Sequence, residues 1–417
     1  MNRIALARCL GCLAIGLALS SAHPMGIILS VGMPALTFVQ PTRRWSYASA
    51  LSYYVGALWS IIPGARNFFG SSGSFLDAFV LWIVSGILLA IPWALVWTKE
   101  RRQVLWRAPV GLILSVVPPL GLIGWASPLT SSGLLFPGSS WLGLAGCAFA
   151  IGALAWRPKP TIFVAGTVAV GLNLLFVSPS LNSWQAVNTN LGSVSGEQSS
   201  ALAQFEAAEF VQRRALASNA HVIVFPEAVV SSWTPATDSF WEGSINKLRS
   251  SGKAIIVGAK VIDAQPPSAF SADNFALSLA TLQSAPAGPH VSPLSRTDDV
   301  AAYRNVLVVR GQESTMFDQR IPVPISMWRP FATAGVQLHL TGPSILPLEG
   351  QRVAVLICYE QLLTWPILTS LIGKPTVIVA VANDYWAYGT TIPEFQRSAV
   401  RAWARLMSIP YVSATNL

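Results

Sequence analysis

Charge is what this 417-residue chain most lacks. Only 11% of its residues are Asp, Glu, Lys or Arg, against about 25% in an average soluble domain, while 52% are hydrophobic. That balance excludes a wholly water-facing protein and implies a membrane-embedded part. Acid is scarcest at the front. Residues 1–180 hold 11 Lys/Arg and 2 Asp/Glu, residues 181–417 hold 16 of each, and the net charge of +9 therefore lies wholly in the first part. The basic residues stand singly or in small groups between apolar runs and form no stripe, so direct nucleic-acid binding is not their explanation. The apolar runs themselves hold almost no charge, and Asp77 falls at a run end, which argues against an ion pump or proton relay. Cysteine is also scarce: Cys9, Cys12 and Cys147 lie in apolar stretches near the front, and Cys358 has no evident partner. There is no internal repeat, glycine-rich phosphate loop or metal-ligand cluster, and His221, His290 and His339 are scattered. No metal and no cofactor is expected.

A bilayer core needs about 20 apolar residues per helix. By that measure seven spans are expected, near 4–20, 25–40, 46–63, 76–97, 108–126, 140–156 and 161–178. Arg3 and Arg8, Arg43 and Arg44, Lys99 to Arg107, and Arg157 and Lys159 fall in alternate connections, while the others carry only Arg66. Basic connections mark the cytoplasmic side, so everything after residue 180 is expected outside. The first two spans are short: a re-entrant pair, or a signal peptide for the first, are alternatives that leave the orientation unchanged. The 1–180 region reads as a multi-pass membrane domain and 181–417 as a soluble domain.

In the second part the segments "HVIVFPE", "KAIIVGAKV", "YRNVLVVRG", "RVAVLICYE" and "PTVIVAVAND" read as short strands. Helical spacing occupies "GEQSSALAQFEAAEFVQRRALAS", "DSFWEGSINKLRSS" and "PEFQRSAVRAWARLMS". Strands alternating with helices predict an α/β layered domain. Ligands gather at the carboxyl ends of such strands, and three strands end on Glu227, Cys358 and Asn383-Asp384. A carboxylate beside a thiol makes a nucleophile with its base. A small buried hydrophobe is the equal alternative for an unpaired cysteine.

"VIVFPEAVV", "RVAVLICYEQLL" and "VIVAVANDYW" with the closing "SATN" resemble, in order and spacing, the nitrilase (carbon–nitrogen hydrolase) superfamily. The multi-span front adds a resemblance to its apolipoprotein N-acyltransferase branch, and a narrower one to conjugal-transfer membrane proteins of plasmids. The resemblance implies an α-helical multi-span membrane domain followed by an α-β-β-α sandwich. It implies Glu227 as general base, Cys358 as the nucleophile that carries an acyl thioester, and Glu360 as an orienting carboxylate. Asn305 matches a family position, and Arg320, Tyr359, Asn383 and Trp386 become candidate substrate contacts. The implied partners are a phospholipid acyl donor, a lipoprotein amine acceptor and the bilayer, at the periplasmic face of a bacterial inner membrane.

The chain departs from that pattern where the family has its lysine. Aligned on Val323-Pro324, Gln319 takes the lysine position and Met327 that of a further glutamate. Loss of an oxyanion donor costs on the order of 3–4 kcal/mol, about a hundred- to a thousandfold in rate. Arg320 is adjacent but alternates to the opposite face of an extended segment, and Lys260 is expected to be a solvated strand end. The chain also stops just after "SATN", where the family adds strands and a span, so a trimmed domain or an edge completed by another chain is expected. Two function classes follow: a membrane-bound cysteine acyltransferase or amidase, or a catalytically weak member kept as an assembly module among conjugation proteins.

Overall fold

The computed structural model describes residues 2–69, 75–192, 200–262, 302–329 and 335–417. The front is helical: α1 (Arg3–Ser20), α2 (Pro24–Leu29), α3 (Gly32–Phe38), α4 (Arg43–Ala57), α5 (Ile61–Phe69), α6 (Phe75–Val96), α7 (Val104–Val116), α8 (Ser132–Leu135), α9 (Ser140–Trp156) and α10 (Pro158–Leu175). Capping side chains start three of these, Asn2 accepting from the Ala5 N–H of α1, His23 from the Met25 N–H of α2 and Thr42 from the Trp45 N–H of α4, each satisfying an otherwise orphaned helix donor. Among the described residues three helices, α1, α6 and α10, are long and apolar enough to cross a membrane.

This revises the expected seven full-length spans. The 25–40 run breaks into α2 and α3, and the 46–63 run is divided between α4 and α5. The 108–126 run leaves the helix after Val116 and continues through a short 3-10 turn. Apolar length alone did not reveal these breaks, because Gly, Pro and Ser within the runs allow turns without lowering hydropathy much. Helix α10 turns Ile162, Phe163, Val164, Leu174 and Leu175 outward, an apolar face of the kind a bilayer covers.

The second part contains β1 (Trp184–Ala186), α11 (Ala201–Ala217), β2 (Val222–Val224), α12 (Pro235–Ser250), β3 (Ala254–Ile262), β4 (Tyr303–Gly311), β5 (Thr315–Asp318), β6 (Ile345–Leu348) and β7 (Gln351–Ile357). It ends with α13 (Thr364–Ile372), β8 (Val377–Asn383), α14 (Ile392–Met407) and β9 (Tyr411–Asn416). The five strands read from sequence are present, and β1, β5, β6 and β9 are additional. Two mixed sheets form. The first runs β1-β2-β3-β4-β5, parallel up to β3 and antiparallel beyond, and the second runs β6-β7-β8-β9, parallel from β7 to β9.

Alternation decides what each strand buries. Val222, Val224, Ala254, Ile256, Leu307 and Val309 of the first sheet meet Val353, Val355, Ile357, Val379 and Val381 of the second in one shared core. The opposite face of the first sheet, Ile223, Ile255, Val257, Val306 and Val308, packs on Val211, Trp241 and Ile245 of α11 and α12. The opposite face of the second, Ala354, Leu356, Ile378 and Ala380, packs on α13 and α14. The layers are thus helix, sheet, sheet, helix, as expected. Beyond α14 the same apolar cluster continues into the helical part through Leu129, Phe136 and Trp93. Gly133 makes that approach possible, because a Cβ there would lie 1.6 Å from the Ala402 carbonyl oxygen.

The free side of β9 is met by the chain's own Thr189, whose N–H donates to the Thr415 carbonyl while its carbonyl accepts from the Leu417 N–H, both at 3.0 Å. That segment occupies the edge that a trimmed domain would leave open or another chain would complete.

Candidate active site

The site is built from both sheets at one end of their shared core. After β2 the chain turns at Glu227, with Ala228 in the left-handed region at φ 52°. Gly258 on β3 permits this turn, since a Cβ there would lie 2.4 Å from the Glu227 Cα. On the other sheet, β7 ends at Ile357, and Cys358 enters a 3-10 turn with φ 50°. A left-handed non-glycine residue stores strain and is enriched at functional positions. Here it brings the thiol and Glu227 close enough that each shifts the other's titration.

Glu227 is buried and held from three sides. Oε1 accepts from Asn305 Nδ2 at 2.6 Å and Oε2 from the backbone N–H of Asn383 at 2.9 Å, and the thiol is the third neighbour. Burial raises its pKa, with Asn305, Cys358, Asn383 and Lys260 pulling the other way. Burial, then the charges of Glu227 and Asp384, push the Cys358 thiol well above its usual range. The pair is therefore a neutral thiol beside a carboxyl group whose affinity for a proton is enhanced, the pairing general-base activation uses.

Asn383 is fixed in turn by Asn416, whose Nδ2 donates to its Oδ1 at 2.7 Å. Asn416 Oδ1 accepts from Thr189 Oγ1 and the Leu191 N–H, each at 2.8 Å. Asp384, next along the chain, is also buried, and its Oδ1 has no hydrogen-bond partner among the described residues. Burial, with Glu227 adding, raises its pKa to about 8, so it is mostly protonated at neutral pH.

Gln319 stands beside the pair, as the alignment places it, but its amide is engaged. Oε1 accepts from Asn305 Nδ2 at 2.9 Å and Nε2 donates to the Ile357 carbonyl at 3.2 Å. It braces Asn305 against the strand that carries the thiol. Arg320, expected among the substrate contacts, points elsewhere. Its guanidinium donates to the carbonyls of Val355 and Pro366 and to Thr369 Oγ1, and its Nε lies 3.5 Å from Glu360 Oε1. Its donors are committed to the interior, which corrects the substrate-contact expectation and follows from the alternation that turns side chain 320 away from 319.

Glu360 fastens the turn that holds Cys358. Its two oxygens accept from the N–H groups of Arg320, Ile321 and Ile357 at 3.0, 3.1 and 2.9 Å. The turn holding Cys358 is thereby tied to the segment holding Gln319. Tyr359 reaches the helical part, its hydroxyl donating to the Leu122 carbonyl at 2.9 Å. Trp386 packs edge-on against Phe68 of α5, with ring centroids 5.8 Å apart. These two expected substrate contacts therefore line the seam between helices and sheets.

Sequence reasoning undervalued Lys260. Register pairs it with Asn305 across β3 and β4, so it shares the inward face with the site and is half-buried, which corrects the solvated strand end. Only the pairing, invisible in one sequence, could have shown this. His221 is exposed with Nδ1 near the Gly252 carbonyl, and His290 lies outside the described residues. Among the described residues no three His, Cys, Asp or Glu side chains converge as metal ligands.

Fold and site together define an α-β-β-α protein with a thiol–carboxylate pair, joined to a helical front. Along nearly its whole length the chain is similar to the conjugal transfer protein TraB of Agrobacterium fabrum, 29% identical over 97% of this chain and 91% of that protein. It is equally similar to a "Probable conjugal transfer protein TraB" of Sinorhizobium fredii, 29% identical over 95% of this chain and 94% of that one. No protein-family model matches. Among solved structures, a C145A mutant of the Nesterenkonia AN1 amidase from the nitrilase superfamily aligns at TM-score 0.33 and 11% identity, covering 57% of this chain and 79% of that one. At that score the likeness says nothing about the chemistry of this chain.

Proposed function

We propose that the chain is a membrane-bound acyltransferase of nitrilase type, with Cys358 as nucleophile and Glu227 as general base. The observation that carries this reading is the convergence of a buried thiol and a buried carboxyl group, the cysteine on a strained turn and the glutamate from the other sheet. Sγ attacks the acyl carbonyl carbon while the thiol proton passes to Glu227. The tetrahedral intermediate collapses, the leaving alcohol takes that proton, and a thioester remains on Cys358. An amine then attacks the thioester, Glu227 accepts its proton, and the proton returns to the departing thiolate. A phospholipid donor and a lipoprotein amine acceptor fit a site whose Tyr359 and Trp386 touch the apolar helices. In this reading the helices span the inner membrane and the sheets lie on its periplasmic side.

A second reading, an assembly module for conjugal transfer, draws support from the names of the two relatives and from Gln319, whose amide is bonded within the protein. The purified protein in phospholipid vesicles, given a peptide with a diacylglyceryl amino-terminal cysteine, discriminates the two. Acyl transfer to the peptide amine that is lost in Cys358→Ser supports the enzyme. No transfer by the wild type favours the module.

A further inference from the structure

We infer that Lys260 is the site's cation, a positioning residue on β3 that keeps Glu227 ionised so that it can take the proton of Cys358. The inference rests on the acyltransfer reading for its purpose, but not for its geometry.

The pairing register supplies that geometry. On β3, Ala254 and Ile256 face the second sheet, and strand alternation continues that face through Gly258 to Lys260. On β4, Leu307 and Val309 face the same way, which brings in Asn305, the cross-strand partner of Lys260. On β5, Phe317 does so, followed by Gln319, whose N–H donates to the Asn305 carbonyl at 2.8 Å. Lys260, Asn305 and Gln319 thus form one polar row across three strands, where the apolar core between the sheets ends. Directly opposed residues on one face have Cβ atoms roughly 4.5–5.5 Å apart, so the lysine stem begins beside the side chain that donates to Glu227 at 2.6 Å. The Glu227 Cα itself rests on Gly258, two residues before Lys260.

Charge balance calls for such a cation. Glu227, Cys358 and Asp384 converge, and each negative charge among them disfavours the next. Among the described residues the other titratable group facing Glu227 is Tyr303 on β4, whose ring lies 5.4 Å from Lys260 Nζ. Among the described strands of the first sheet, Lys260 is the Lys or Arg on the inward face. Glu227 and Lys260 each favour the other's charged form against the cost of burial. Position 319 is uncharged, and the compensating charge stands two strands away in the same row.

The test is the rate at which iodoacetamide alkylates Cys358 in the full-length protein in detergent, followed by peptide mass against pH. In that reaction the thiolate displaces iodide and Glu227 takes the proton. Lys260→Met is expected to slow alkylation at neutral pH about tenfold and to move the acid limb up by about one unit, the two being one effect. Lys260→Arg should restore most of the rate. In a Glu227→Gln background Lys260→Met should change little, because the lysine acts through that carboxylate. A wild-type profile in Lys260→Met, or a full extra loss in the Glu227→Gln background, overturns the inference. If Lys260→Met does not fold, Lys260→Gln and the Arg variant carry the same comparison. Alkylation needs no acyl donor, so a failed transfer assay with an intact lysine effect would sink the acyltransfer reading alone.

Discussion

The two sheets contribute to the site in different ways. The second delivers its groups at strand ends: Cys358 follows β7 and Asn383 closes β8, both where parallel strands stop. The first also delivers Glu227 just past the end of β2, but adds Lys260 and Asn305 from within long antiparallel strands, and Gln319 just beyond β5, as a row across the sheet. A strand end after an apolar run is visible in a sequence. A row across strands is not, because it depends on which residue faces which.

Removing Arg320 has the largest expected effect on this arrangement, since it underlies both halves. It braces the second sheet through the Val355 carbonyl and neutralises Glu360, which is fully buried. Breaking a buried pair by deleting one partner costs about 3–5 kcal/mol. Arg320→Met should therefore lower the thermal midpoint sharply. A midpoint within a degree or two of wild type would mean that Glu360 does not need the cation.

Asp384 sharpens the comparison from the side of the second sheet. In the unfolded chain its proton leaves near 3.8, and in the fold it is held to about 8. The folded state binds that proton more tightly, so stability should fall as pH rises from about 4 to about 8 and then level off. Above about 8 the new charge also opposes thiolate formation beside it, giving thiol reactivity an alkaline decline. Thermal melts and alkylation profiles of Asp384→Asn should lose both features. A fall of unchanged depth in the variant would assign it to another group.

Gln319→Lys probes the row and should have the smallest effect. With Lys260 present the rate of Cys358 alkylation should rise less than tenfold, whereas in a Lys260→Met background the gain should be larger. Equal gains in both backgrounds would show that the two positions do not share a task.

Much of the site was legible because its residues end recognisable strands: Glu227, Cys358 and Asn383 stand together as their motifs implied. Alternation correctly turned Arg320 away from 319, yet the same rule, lacking a partner strand, left Lys260 outside. Burial explains the remaining gaps. Nothing in "NDYW" indicates that Asp384 is enclosed and mostly protonated at neutral pH, since a neighbouring aspartate in an open loop reads the same. In the helical part, hydropathy found the apolar runs but not their breaks, because a turn buried among helices can be as apolar as the helix it interrupts. The pairs α2 with α3 and α4 with α5 are the result.

If the two sheets assemble one reacting pair, the intact mass of the protein purified from bacterial membranes will show it. Wild type should carry a hydroxylamine-labile addition of acyl-chain size. Cys358→Ser should carry none, and Glu227→Gln little or none. An unmodified wild type, or an addition that survives in Cys358→Ser, would contradict the account.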